Sequence, residues 1–326
     1  MNTLFEHVIR PTLRGVGQVA LINNAATGLL LLVALFFHDL TTRNLLESPW
    51  TRVQHSLTFA TLIGALSSLL VARILSVDAK AIKQGLYGYN GALVGIACMT
   101  FFAPNSLLLV LIVLGGGATS LIMRFWRWRV SPFTFPFLSV IAMIFFAADW
   151  LGLTLKGDVI LIEETSHLSV FSHAMFNGIG QVLFQQGMAF SLVVLFAIVI
   201  HSMKTAIWAL LGAGFGLTTA FILSLVGGEA SLDLMALSHN EQAVHIMYQG
   251  LFGFNGALVA LALSQITGMS KSAIFAGIGL ASTLAYAGIL LKLTLLTFPF
   301  VFSAWIVITI VNTFNTEPRT QEKSAG

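Results

Sequence analysis

The chain has 326 residues, of which 57% are hydrophobic and only 9% are charged, and its formal net charge is +3. Because a soluble domain carries about 25% charged residues, this composition excludes a soluble globular domain and predicts an integral membrane protein. The single cysteine, Cys98, excludes an intramolecular disulfide.

Ten apolar stretches are candidate membrane spans, although several fall short of the ~20 residues that a membrane helix needs. In chain order they cover residues 25–38, 54–75, 85–103, 105–123, 132–153, 188–203, 205–226, 246–264, 272–291 and 297–314. Two further stretches, 14–28 and 177–190, are apolar but contain Gln and Asn. Non-helical backbone survives at membrane depth only where it is buried in protein or lines a cavity, so we interpret both stretches as re-entrant half-helices.

The basic residues predict the orientation of these spans. When the N-terminus is placed inside the cell, all but four of the 16 Lys and Arg residues lie on the cytoplasmic side, the exceptions being Arg43, Arg52, Lys156 and Lys292. This excess of positive charge favours ten spans with both termini cytoplasmic. The compact length, without large extramembrane domains, predicts the bacterial inner membrane as the location.

Three motifs each occur twice, in the same order and at nearly one offset. They are GVGQ at 15 and GIGQ at 178, QGLYGYNGALVG at 84 and QGLFGFNGALVA at 249, and TFPF at 134 and 297. Collinear pairs of this kind indicate a duplication. Each half has five spans, an odd number, so the second half enters the membrane inverted. The sequence therefore predicts an all-α integral membrane protein with ten transmembrane helices plus two re-entrant half-helices, as two inverted five-helix repeats (1–165 and 166–316) and a polar cytoplasmic tail (317–326).

The predicted spans contain almost no ionisable residues, whereas carriers and channels for ions usually keep charged groups along their path. The repeated motifs contain Gln, Asn, Thr, aromatic rings and glycine-exposed backbone instead. These neutral groups suit a small, uncharged, polar solute that crosses passively at the interface of the two halves. Asn90 and Asn255 are expected to satisfy the broken backbone rather than to touch the solute.

At these motifs the sequence resembles the urea transporter family. The resemblance covers GVGQVALINN, QGLYGYNGALVG and both TFPF segments, and it extends over essentially the whole chain. It implies a passive, channel-like urea pore, with ten spans, two re-entrant half-helices and a homotrimer that has one pore per protomer. The chain departs from the family pattern where alanine replaces a common proline after Asn24, at Gln185-Gln186-Gly187, at Leu21, where an aromatic is common, and at Tyr89, where phenylalanine is common.

The resemblance also implies which residues line the pore. Gln18 and Gln181 mark the oxygen-lined ends of the half-helices, and Thr134 and Thr297 supply hydroxyls at a central constriction. The remaining members form flat walls of a slot: Leu21, Tyr89, Leu93, Phe184, Phe254 and Leu258. Tyr89 and Leu93, like Phe254 and Leu258, are four residues apart and therefore share one helix face.

Two alternatives remain open, a pore for related small neutral solutes (short amides, water or ammonia) and an intramembrane enzyme. No span contains an HExxH or GxSxG motif, so the sequence predicts no enzyme. His239, Glu241 and His245 fit no standard metal spacing, which predicts no metal and no other cofactor. The stretch RFWRWR at 124–129 is typical of a cytoplasmic membrane edge, so the expected partners are urea, the lipid bilayer and further copies of the chain, and not nucleic acid.

Overall fold

The computed structural model describes residues 4–42, 56–157, 167–226 and 246–315, which are helical apart from turns and one isolated bridge between Phe102 and Leu155. Several predicted features lie outside the described residues. They are the boundary between the halves at 165 and 166, the tail at 317–326, the basic residues at 43, 52, 319 and 323, and the histidines at 239 and 245.

The described residues form α-helices that follow one another in a repeated order. A π-helical turn, Phe5–Ile9, leads into the helices of the first half, which are α1 Arg10–Val19, α2 Ala25–Thr42, α3 Leu57–Ile74, α4 Ala79–Lys83, α5 Tyr89–Phe101, α6 Ser106–Phe125 and α7 Phe135–Ala147. The helices of the second half are α8 His167–Gly180, α9 Met188–His201, α10 Met203–Val226, α11 Phe254–Leu263, α12 Lys271–Leu290 and α13 Phe298–Asn315, with a 3-10 turn at Gln181–Leu183 between α8 and α9.

The two halves share rare backbone conformations at matching positions. Left-handed residues other than glycine are uncommon, yet Leu21 has φ 59° where its counterpart Phe184 has φ 55°. Likewise Phe133 has φ 46° and its counterpart Leu296 has φ 47°. The two halves are thus similar in backbone geometry as well as in sequence, which supports a duplication.

The helices differ in length from the predicted spans. Four of them, α3, α6, α10 and α12, are long and apolar enough to cross a membrane, and the pair Ser169–Leu183 and Met188–His201, bent by 67°, is either a broken span or a re-entrant loop. Helices α2, α5, α7, α11 and α13 are apolar but shorter. The predicted spans 85–103 and 246–264 begin too early, because Gly85 and Gly250 adopt φ of 77° and 80° and turn the chain before α5 and α11 start.

Glycines bring helix backbones into direct contact in both halves. Helix α3 packs on α5 through Gly64 and Gly91, and α10 packs on α11 through Gly212 and Gly256. Small residues allow such close approach in membrane bundles, where van der Waals packing and hydrogen bonds hold helices together. This close packing fixes α5 and α11, the two helices that carry four of the six predicted slot residues.

Helix α2 extends to Thr42, beyond the end predicted at residue 38, and it includes the buried acid Asp39. Its carboxylate accepts hydrogen bonds from Ser56 Oγ at 2.6 Å and from the backbone N–H of Leu57 at 3.2 Å. A carboxylate is favourable at the start of a helix, where N–H groups lack partners within the helix. Asp39 therefore stabilises the beginning of α3.

Candidate functional site

The two predicted glutamines tie the half-helices to the loops that open the repeated motif. Gln18 Nε2 donates to the Gln84 carbonyl at 3.4 Å, and Gln181 Nε2 donates to the Gln249 carbonyl at 3.0 Å. Because each glutamine uses its amide nitrogen in the same way, its amide oxygen stays available as an acceptor. The two contacts are equivalent in the two halves.

The residues that follow the half-helices lie in left-handed turns against the opposite half. The buried Phe184 ring stacks on Phe137, with ring centroids 5.6 Å apart. On the other side, the carbonyl of half-buried Leu21 accepts from Gln265 Nε2 at 3.2 Å. Residues of one half therefore hold the turn of the other in place.

The predicted slot residues meet in one buried cluster that draws on both halves. Leu21 packs against this cluster from its edge, and the fully included members are Tyr89, Leu93, Phe184, Phe254 and Leu258. Leu93 and Leu258 are each only 1% exposed, so they contact other side chains on all sides in this structure. The four-residue spacing on α5 and α11 brings the members of each pair to the same cluster, as a shared helix face requires.

Two asparagines bind backbone N–H and carbonyl groups at the TFPF segments. Asn90 Oδ1 accepts from the N–H of Phe137 at 3.1 Å, and Asn90 Nδ2 donates to the carbonyl of Phe133 at 3.3 Å. The second half repeats this clamp, since Asn255 Oδ1 accepts from Phe300 N–H at 3.0 Å. The expectation that these asparagines satisfy broken backbone is confirmed.

The clamped segments bring the two predicted threonines into direct contact. Thr134 Oγ1 and Thr297 Oγ1 are 2.8 Å apart, at hydrogen-bond distance, and both side chains are buried. The two residues are equivalent by the repeat, separated by 163 positions. Equivalent residues of the two halves therefore meet here, which is the location expected for a site if the repeat is inverted.

A cavity of about 640 Å³ leads towards this threonine pair from the second half. Its wall includes Gln181, Phe184 and Phe254, three of the predicted residues. It also includes Leu296 and Pro299, so the cavity reaches the residues on either side of Thr297. The predicted residues of the first half do not line this cavity.

Two ionisable residues at this cavity were not predicted from the sequence. His38, near the end of α2, and Lys156, in the loop after α7, both line it. Lys156 is exposed, and its Nζ donates to the Met99 carbonyl at 2.5 Å. The sequence predicts Lys156 in an outer loop and His38 at the end of a span, and only the folded chain brings both to the cavity. The rest of the wall is neutral, with amides, hydroxyls, aromatic rings and aliphatic side chains.

Polar and aromatic side chains share the wall of this cavity. Gln185 Nε2, for example, donates to Thr100 Oγ1 at 2.7 Å across the two halves. A wall of this kind can exchange hydrogen bonds with a small neutral molecule while its apolar faces exclude water. A hydrated ion would lose its water without gaining a compensating charge deeper in the site.

Comparison with known proteins places the chain in a family. The family model described as Urea transporter matches residues 9–312. Urea transporter 1 of Rattus norvegicus is 26% identical over 271 residues, which cover 77% of this chain and 61% of that protein. Urea transporter 1 of Mus musculus is 27% identical over 271 residues with the same coverage, and that of Ovis aries is 25% identical over 270 residues.

The chain thus spans about three fifths of the length of these relatives, 61% in each alignment. The family match is broader, because it includes nearly every described helix from α1 to α13. The family is one of transporters and not of enzymes, in agreement with the sequence analysis. The chain belongs to the urea transporter family.

Proposed function

We propose that the protein is a passive, channel-like pore that conducts urea down its gradient between two inverted halves. The observation that carries this proposal is the neutral cavity of about 640 Å³ that reaches the residues flanking the Thr134–Thr297 contact. Family membership supports the same solute, since the relatives are named urea transporters.

The chemistry of urea fits the groups around this cavity. Urea is flat and uncharged, with four N–H donors and one carbonyl acceptor, and removing its water is costly unless other groups replace it. Amide oxygens such as that of Gln181 can accept from its N–H groups. The rings of Phe184 and Phe254, which line the same cavity, offer flat surfaces to a planar molecule.

The threonine contact is the proposed constriction of the pore. In the structure the two hydroxyls bond to each other, and they must exchange that bond for bonds to the solute before it can pass. Each hydroxyl can act as donor and as acceptor, so the exchange leaves no hydroxyl without a partner. A solute without hydrogen-bonding groups would not compensate for the broken contact.

The proposal extends to ten spans, two re-entrant half-helices, and halves at 1–165 and 166–316. The repeated φ values at Leu21 and Phe184 and the threonine contact support the two halves. The distribution of Lys and Arg supports cytoplasmic termini. We further propose one pore per protomer of a homotrimer in the cell membrane, the inner membrane if the source is bacterial.

The competing candidate is a pore for related neutral solutes such as short amides, water or ammonia. Stopped-flow light scattering on liposomes that contain the purified protein separates the two. Gradients of urea, acetamide and glycerol should give fast relaxation for urea and slower relaxation for the other two. Equal rates for all three solutes would favour a general neutral pore and contradict selectivity for urea.

Transport should be passive in either direction. We propose no ion-coupling relay, because the one buried acid in the helices that the structure describes, Asp39, is bonded to the start of α3. Urea flux into sealed liposomes should therefore stop at equal concentrations, whatever the membrane potential. Accumulation of radiolabelled urea above the outside concentration under an imposed proton or sodium gradient would contradict this expectation.

Both aromatic walls should contribute to selectivity. Tyr89→Ala and Phe254→Ala each remove a buried ring from the slot cluster, and each should reduce the preference for urea over N-methylurea by about tenfold, since one extra methyl group is worth roughly 10- to 200-fold in a fitted pocket. The ratio of the two permeabilities is measured in the same liposomes and is independent of protein yield. A change in ratio for only one variant would rule out a wall in each half.

A further inference from the structure

The two halves differ at one hydrogen bond next to the threonine pair. In both halves a carbonyl precedes the TFPF segment, that of Phe133 in the first and that of Leu296 in the second. Asparagine Nδ2 donates to each, from Asn90 at 3.3 Å and from Asn255 at 3.1 Å. The first half adds a second donor, because the hydroxyl of Tyr89 also donates to the Phe133 carbonyl.

The TFPF sequence leaves these carbonyls without ordinary helical partners. The residue three positions after Leu296 is Pro299, which has no N–H. The N–H of the next residue, Phe300, donates to Asn255 Oδ1 instead. The same holds in the first half, where Phe137 N–H donates to Asn90 Oδ1. Each carbonyl therefore keeps one lone pair for a donor other than the asparagine.

In the first half a side chain supplies this second donor, whereas the equivalent side chain of the second half cannot. Tyr89 has its counterpart in Phe254, which has no hydroxyl. Leu296 and Phe254 both line the cavity of about 640 Å³, together with Asn255. Leu296 thus borders space that a solute can enter, and among the described residues its carbonyl accepts from Asn255 alone, whereas the Phe133 carbonyl accepts from both Asn90 and Tyr89.

We propose that Tyr89 determines specificity in the first half, because its hydroxyl occupies the acceptor position that the Leu296 carbonyl offers to the solute in the second half. This inference rests on the proposed pore. The hydroxyl has two effects. It removes one acceptor for urea N–H groups, and it holds the aromatic ring so that the slot cannot widen around a substituted urea.

A reciprocal exchange of the two side chains tests this assignment. Tyr89→Phe removes the hydroxyl, and Phe254→Tyr introduces one beside the Leu296 carbonyl. The measurement is the ratio of urea to N-methylurea permeability in the same liposomes, by stopped-flow light scattering. Tyr286→Phe is the matched control, since Tyr286 is a buried tyrosine outside the repeated motifs.

Tyr89→Phe should raise urea permeability and lower the ratio by about two- to tenfold, the usual effect of one buried hydrogen bond on a rate. Phe254→Tyr should raise the ratio, the double exchange should return it towards the wild-type value, and Tyr286→Phe should leave it unchanged. The ratio of the two permeabilities does not depend on protein yield. If Phe254→Tyr folds poorly, the ratio for Tyr89→Phe against wild type is therefore sufficient to test the assignment.

Two outcomes overturn different statements. An unchanged ratio in Tyr89→Phe, or an equal change in Tyr286→Phe, while the wild-type protein conducts urea, overturns the role of Tyr89 and leaves the proposed pore intact. Absence of urea flux through the folded wild-type protein overturns the proposed pore, and this inference with it.

Discussion

Replacing both Thr134 and Thr297 by valine should slow urea permeation by about five- to a hundredfold. Valine keeps the volume of threonine and removes the hydroxyl, so urea loses its partners where it has lost most of its water. A buried group left without a hydrogen bond costs roughly 1–3 kcal/mol, and each 1.36 kcal/mol on the barrier lowers the rate about tenfold.

Each single valine variant should have a smaller effect than the double variant. In Thr134→Val the hydroxyl of Thr297 loses its partner at 2.8 Å and becomes available to the solute, which offsets part of the loss. The rates are measured by stopped-flow light scattering at equal protein content, with oligomer size checked by size-exclusion chromatography.

Two other threonines provide matched controls. Thr61 Oγ1 donates to the Leu57 carbonyl at 2.6 Å, and Thr219 Oγ1 donates to the Phe215 carbonyl at 2.9 Å, each within its own helix. Valine at either position should leave the urea rate nearly unchanged. If these variants and the double variant all conduct urea alike, the threonine pair is a packing contact and the constriction lies elsewhere.

The second large effect concerns the glycine contacts that fix α5 and α11. A Cβ atom on Gly91 would lie 2.2 Å from the carbonyl oxygen of Gly64, and one on Gly256 would lie 2.4 Å from that of Gly212. Neither backbone can move without separating two packed helices. Gly91→Ala and Gly256→Ala should each destabilise the fold by about 1–3 kcal/mol or more.

Thermal unfolding in detergent, followed by loss of the monodisperse size-exclusion peak, measures this effect. Gly279→Ala in α12 is the control, because the nearest atom to a Cβ there is Phe215 Cε1 at 3.9 Å, an ordinary contact. All three substitutions replace glycine with a residue of higher helix propensity. Equal stability of all three variants would show that the close backbone contacts of α5 and α11 do not limit the fold.

The family resemblance implies hydroxyls of both threonines at one constriction, and the structure brings these two hydroxyls into contact. Thr134 and Thr297 occupy the same position in duplicated segments, and an inverted repeat brings such positions to a common axis. The sequence predicts that Asn90 and Asn255 satisfy broken backbone, and the structure adds which groups they bind, those around the prolines of the TFPF segments, where backbone groups lack helical partners.

Other features depend on the folded chain and could not be predicted from periodicity. The left-handed turn at Phe133 has no glycine to mark it, so the predicted span 132–153 begins before α7 does. Asp39 lies just beyond a predicted span, and only the fold shows that it stabilises the beginning of α3. His38 and Lys156 reach the cavity from separate segments, and no local pattern connects them.

We propose that this chain conducts urea through the threonine pair between its two halves. Stopped-flow light scattering of liposomes under a urea gradient, with and without purified protein, tests it most directly. Liposomes that contain the wild-type protein should relax much faster than protein-free liposomes. Liposomes that contain the Thr134→Val/Thr297→Val variant should relax at an intermediate rate. Relaxation of wild-type liposomes at the protein-free rate, with the protein folded and inserted, would contradict the claim.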